Sequence, residues 1–169
     1  MAGSQNVDGT GFMMVDTPYG PAGFAWYGDS VVEMMLPGKG GAAAASGPAP
    51  VPGWVRALAR DLKRYYAGEP VDLMPWWNRL DAEALTPFCR EVYQYLAALP
   101  RGETLSYGDL AAAVGRPGGA RAVGQAMARN PYAPVVPCHR VLAADGSLGG
   151  YGGGLRLKEQ LLRLEAAAG

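Results

Sequence analysis

The chain has 169 residues and a mass of 17.7 kDa, with 49% apolar residues, a mean hydropathy near zero, and fifteen basic side chains balanced by fifteen acidic ones. That composition excludes a disulfide-stapled mini-protein, a disordered tail and a membrane-spanning chain, and it leaves room for one folded domain or two small ones. The even balance hides an asymmetry: residues 1–84 hold six basic and nine acidic side chains, whereas residues 85–169 hold nine and six.

The opening segment, MAGSQNVDGT, lacks the basic and apolar regions of a signal peptide, so an intracellular location is expected, cytoplasmic in a bacterium or archaeon and nuclear in a eukaryote. Residues 1–11 are polar and Gly-rich and read as a frayed terminus. From Phe12 to Leu36, short apolar runs alternate with turn signals at Thr17-Pro18-Tyr19-Gly20 and Gly28-Asp29-Ser30, the pattern of a small antiparallel meander. The Gly/Ala/Pro-rich stretch 37–52 reads as a flexible surface loop. Trp54, Leu58, Leu62 and Tyr65 then recur at helical spacing, and Gly68 stops that helix. Residues 69–86 have no clear period and read as a linker packed by its aromatics.

A boundary near Leu85 divides the chain into an α+β unit over 1–84 and a mainly helical unit over 85–169, so the fold class is α+β. Thr86 is placed to cap a helix that opens on Pro87 and runs to Leu99. Ser106 and Asp109 form a capping-box pattern before a second helix, and Gly115 to Gly119 break the chain before a third. Two short helices joined by a Gly/Pro turn are either a helix-turn-helix or an ordinary helical hairpin. No acidic residue occurs between Asp109 and Asp145, while Arg116, Arg121, Arg129 and Arg140 fall in that window, giving a solvated basic face or a surface for a polyanion. Leu157, Leu161 and Leu164 mark one face of an amphipathic closing helix, Leu155 to Ala167.

Two cysteines and one histidine cannot supply the three or four ligands of a zinc site, so neither metal nor organic cofactor is expected. Cys89 lies in an apolar helix and reads as core. Cys138 precedes the lone histidine in Pro137-Cys138-His139-Arg140-Val141, and is either a structural residue or a reactive thiol. As a nucleophile it would give its proton to His139, through a bridging water because consecutive side chains diverge. The imidazole would then need a third group to orient it, and Glu159 is the candidate.

The Pro-Cys-His-Arg-Val segment does not stand alone. With Arg121-Ala122-Val123-Gly124 and Asn130-Pro131 before it, Gly150-Tyr151-Gly152-Gly153-Gly154 and Lys158-Glu159 after it, and Gly102-Glu103-Thr104-Leu105-Ser106-Tyr107 at the helix pair, it resembles the O6-alkylguanine-DNA alkyltransferase family over about residues 85–165. Thr17 to Pro21 and Tyr65 to Gly68 extend the resemblance weakly into the first half. The resemblance implies single-turnover transfer of an alkyl group from O6-alkylguanine, and from O4-alkylthymine, in duplex DNA to Cys138. It implies His139 as the deprotonating group, Glu159 as its orienting partner, Asn130 as support for the active-site turn, and Tyr107 as the side chain that assists the leaving guanine.

By the same resemblance, the carbonyls of Cys138 and Val141 accept from the guanine amino group, the Gly152 amide faces O6, and Tyr151 shares that pocket. Arg121 would enter the duplex as the nucleotide rotates out. Gly118, Gly119 and Ala120 beside it are small enough to let the backbone approach a minor-groove wall, whereas helix-turn-helix proteins commonly read the major groove with long polar side chains. A monomer without membrane contact is the default. The competing readings are a non-catalytic binding module for alkylated DNA, a cysteine hydrolase or acyltransferase, and a transcription regulator that uses the helix pair alone.

Overall fold

Alternation of apolar and polar residues between turn signals produces the first layer. The structure is a computed structural model describing residues 9–39, 45–47 and 49–167. Strands β1 (Thr10–Val15), β2 (Ala22–Tyr27) and β3 (Ser30–Met35) form the antiparallel meander, with Phe24, Trp26 and Val31 buried on the core face. The expected frayed terminus is shorter than the sequence suggests, because Thr10 and Gly11 already pair with Tyr27 and Trp26; residues 1–8 lie outside the described residues. The expected loop at 37–52 is also corrected in part. Ala45–Ser46 form a short strand, β4, on the outer edge of β1, giving the sheet order β3-β2-β1-β4, while 40–44 and 48 lie outside the described residues.

Helix α1 (Gly53–Tyr66) packs on this sheet through Val55, Leu58, Leu62, Tyr65 and Tyr66. Trp54 is only partly buried and carries the Arg79 guanidinium 5.0 Å above its ring. The stretch read as a linker contains two 3-10 turns, Met74–Arg79 and Ala82–Ala84. It is tied to the sheet where the Asp81 amide donates to the Val31 carbonyl at 2.9 Å.

Helix α2 (Pro87–Ala97) starts as expected, with the Thr86 hydroxyl accepting from the Cys89 amide at 3.3 Å, and it ends two residues before Leu99. Cys89 is partly buried rather than inside the core. The two-residue strand β5 (Leu105–Ser106) leads into helix α3 (Tyr107–Ala113), whose Ser106/Asp109 capping box is complete. A turn over 114–119 connects it to α4 (Ala120–Ala128). The turn explains both glycines: Gly118 has φ +81°, and a Cβ on Gly119 would lie 2.8 Å from the Arg116 carbonyl oxygen.

The segment after α4 passes through the Cys138–Arg140 turn into strand β6 (Val141–Leu142), which pairs parallel with β5. Helix α5 (Leu155–Ala167) closes the chain. Buried side chains from both halves form one continuous cluster, from Phe24 and Trp26 through Leu62 and Tyr93 to Val136 and Leu161. Among the described residues, no helix is long and apolar enough to cross a membrane.

Candidate active site

The β5–β6 pair sets the site by joining Leu105 and Ser106, just before α3, to Val141 and Leu142, just after the cysteine turn. That brings Tyr107, the first residue of α3, to Cys138. Together with Gly124, Met127, Ala128, Gly150, Tyr151 and Gly152 they line a cavity of about 380 Å³, within the ~300–1,000 Å³ of typical small-molecule sites. Four residues expected at the site therefore share one wall, and α4 supplies three that sequence reasoning missed. Val141 is fully buried and not among the lining residues; its carbonyl already accepts from Lys158 at 2.7 Å.

Asn130 holds the preceding turn at both ends. Its amide nitrogen donates to the Val136 carbonyl at 2.8 Å, and its oxygen accepts from the Tyr132 amide at 2.9 Å. The Cys138 thiol is buried, which pushes its pKa up, while a hydrogen bond from Asn130 and the charge of Lys158 pull the other way.

The orienting carboxylate is Glu165, not Glu159. His139 Nε2 lies 2.8 Å from Glu165 Oε1, and Arg140 holds the same carboxylate in a two-pronged grip, Nε to Oε2 and Nη2 to Oε1, each at 2.8 Å. Glu159 is exposed and pairs with Arg163 at 2.7 Å, one turn along α5. The reason is rotation about the helix. Leu157, Leu161 and Glu165 follow at intervals of four and share the buried face, with Lys158 and Glu165 two turns apart on that same side, whereas Glu159 points away.

Burial would raise the Glu165 carboxyl, but the hydrogen bonds and charges of His139 and Arg140 hold it far below the usual carboxylate range. An ionised carboxylate only accepts, so Nε2 carries the proton and Nδ1 the lone pair. Burial also lowers the His139 pKa, against the pull of Glu165, and Nδ1 makes no protein hydrogen bond. A neutral imidazole with a free lone pair thus follows the thiol in the chain. Tyr107 has its pKa raised by burial and the nearby thiol, so its hydroxyl is a protonated donor.

Lys158, in sequence only a member of a motif, is fully buried. Its ammonium donates to the carbonyls of Val141, Leu148 and Gly150, pinning the 148–150 segment next to the cavity wall. On α4, Arg121 is exposed one turn before Gly124, as are Arg116 before the helix and Arg129 at its end, while Val123, Ala126 and Met127 are buried.

A buried thiol on a cavity, followed in sequence by a carboxylate-held imidazole, is the residue set of the cysteine-nucleophile class. The model described as "6-O-methylguanine DNA methyltransferase, DNA binding domain" matches residues 87–167. A methylated-DNA–protein-cysteine methyltransferase of Mycobacterium leprae is 42% identical over 151 residues, 89% of each chain, and one of Mycobacterium tuberculosis is 39% identical over 154 residues, 91% of each. Among solved structures, the Mycobacterium tuberculosis O6-methylguanine methyltransferase aligns with a TM-score of 0.73 at 36% identity, covering 95% of this chain and 94% of that one. A structure of the protein from that bacterium in complex with DNA aligns with a TM-score of 0.71 at 35% identity, covering 93% of each chain. The chain belongs to the methylated-DNA–protein-cysteine methyltransferase family.

Proposed function

We propose that this protein repairs duplex DNA by taking the alkyl group of O6-alkylguanine, and of O4-alkylthymine, onto Cys138, once per molecule. The observation that carries this reading is one shared cavity: Cys138, Tyr107 and the α4 residues Gly124, Met127 and Ala128 line it, and Arg121, one turn before Gly124 on the same helix, is exposed. Family membership and a relative solved with DNA support it.

His139 draws the thiol proton onto Nδ1, through one water, as sulfur attacks the alkyl carbon. The carbon–O6 bond breaks, the carbon–sulfur bond forms, and the guanine anion takes a proton from the Tyr107 hydroxyl, which the His139 imidazolium restores through solvent. Protons balance, and the thioether has no route back to thiol. Glu165 stabilises the transient imidazolium without accepting its proton. Intact-mass analysis after mixing with duplex containing O6-methylguanine should show a gain of about 14 Da on Cys138, and none in Cys138→Ala. Repeated turnover, or addition at Cys89, would overturn the reading.

A stacked guanine hides O6, so the nucleotide must leave the duplex to reach the cavity, at a cost of a few kcal/mol. Small residues on α4, including Ala120, Ala122 and Ala128, suit close approach to a minor groove, with Gly118 and Gly119 shaping the turn before it. Arg121 fills the vacated stack. Arg121→Ala should slow transfer from duplex about ten-fold or more while sparing reaction with free O6-benzylguanine. Equal loss on both substrates in a folded variant would place Arg121 in the chemistry instead. The protein acts as an intracellular monomer in this reading.

A further inference from the structure

The residues assigned to the transfer all follow position 85, yet α1 of the first half reaches the relay. We propose that Tyr65 is a positioning residue for the transfer, its hydroxyl fixing the Glu165 carboxylate on which His139 rests. The proposal rests on the reading that His139 takes the proton of Cys138.

Tyr65 sits in the last turn of α1 and is 2% exposed. Its hydroxyl donates to Glu165 Oε1 at 2.7 Å and lies 3.4 Å from His139 Nε2. The same oxygen takes His139 Nε2 and Arg140 Nη2, while Oε2 takes Arg140 Nε and the Gly102 amide at 3.4 Å. Five donors therefore converge on about four acceptor sites, so the carboxylate has no freedom to rotate. The ring of Tyr65 is itself held, with the Arg101 guanidinium 5.4 Å above it and Tyr66 edge-on at 5.2 Å. A phenylalanine would fill this space equally well. What the hydroxyl adds is a neutral donor that dilutes the carboxylate charge felt by His139 and sets the angle of its ring.

The groups facing the imidazole are Glu165 and Lys158 from α5, Arg140 from its own turn, Tyr65 from α1, and Tyr151 from the loop before α5, while Tyr66 of α1 faces Cys138. In Tyr65→Phe the carboxylate loses one donor and its charge bears more fully on His139, favouring the imidazolium, which cannot accept the thiol proton. The acid limb of the pH profile for transfer should move to higher pH by about half a unit, with duplex affinity within about two-fold of the parent. Tyr93→Phe is the control: it removes another buried hydroxyl, bonded to the Ala126 carbonyl at 2.6 Å, and should lower the melting temperature without moving the limb.

Carboxamidomethylation of Cys138 by iodoacetamide, located by peptide mass over the same pH range, reads the limb with no DNA present. An unmoved limb in Tyr65→Phe, or an equal displacement in Tyr93→Phe, overturns the proposal. If the parent protein takes no methyl group from duplex, the functional reading fails instead, and the iodoacetamide profile still decides the role of Tyr65.

Discussion

Glu165→Gln should destabilise the protein by about 3–5 kcal/mol at neutral pH, because it leaves the Arg140 guanidinium buried without a counter-charge. The variant keeps the shape of the side chain, so packing does not confound the comparison. Glu159→Gln, by contrast, removes only an exposed pair one helical turn apart, of a kind that contributes about 0.3–0.5 kcal/mol. The difference should also depend on pH. Glu165 has a folded-state pKa below its ordinary 4.5, so its stabilisation is present above that value and is lost as pH falls through the folded-state value. His139 is held neutral below its ordinary 6.5, and protonation of the unfolded chain first erodes stability below that point. Both effects have the same sign, so the parent protein weakens on acidification, and because His139 is common to both proteins it is protonation of Glu165, below its ordinary 4.5, that narrows the gap to Glu165→Gln. Urea unfolding at neutral pH and at about pH 4 checks this; equal losses in the two variants at neutral pH would remove Glu165 from its central place.

Lys158→Met should slow transfer about ten-fold or more, with DNA affinity nearly unchanged. Methionine matches the length of the chain but leaves the Val141, Leu148 and Gly150 carbonyls without their shared donor. The penalty for unmet buried acceptors, about 1–3 kcal/mol, falls on the segment before Tyr151 and Gly152, so the cavity wall loosens. Loss of the ammonium also removes a charge that lowers the Cys138 pKa, so alkylation of the thiol by iodoacetamide should require higher pH. Unchanged transfer and an unchanged thiol profile would reduce Lys158 to a packing residue.

Local signals were read well because their causes are local. The Thr86 cap, the Ser106/Asp109 box and the Gly118-Gly119 turn each depend on residues within one or two turns of chain, and each is present. Thr10, Ala45 and Ser46 were misread because their pairing comes from β2 and β1, well removed in sequence. The mistake at the carboxylate is more instructive. Leu164 reads as the third member of the apolar stripe after Leu157 and Leu161, yet intervals of four lead equally to Glu165. An acidic residue on a buried stripe needs a partner, and Arg140 beside the histidine was available. Tyr65 reads as core and nothing more, since helical spacing shows that a tyrosine is buried but not where its hydroxyl goes.

The four-stranded sheet leaves little backbone on offer at either side. On β3, the Met34 amide donates to the Pro131 carbonyl, Val31 accepts from Asp81 and bridges to Leu80, and on the opposite side the outermost strand is only two residues long. Open strand borders are where chains recruit one another into aggregates, and short or covered ones suppress it. A protein consumed one molecule per lesion has to accumulate ahead of damage, so its useful dose is set by how much of it stays dispersed. Among the described residues, a covered border on one side and a short one on the other restrict the most direct route by which a growing stock of the unused protein would be lost to self-association.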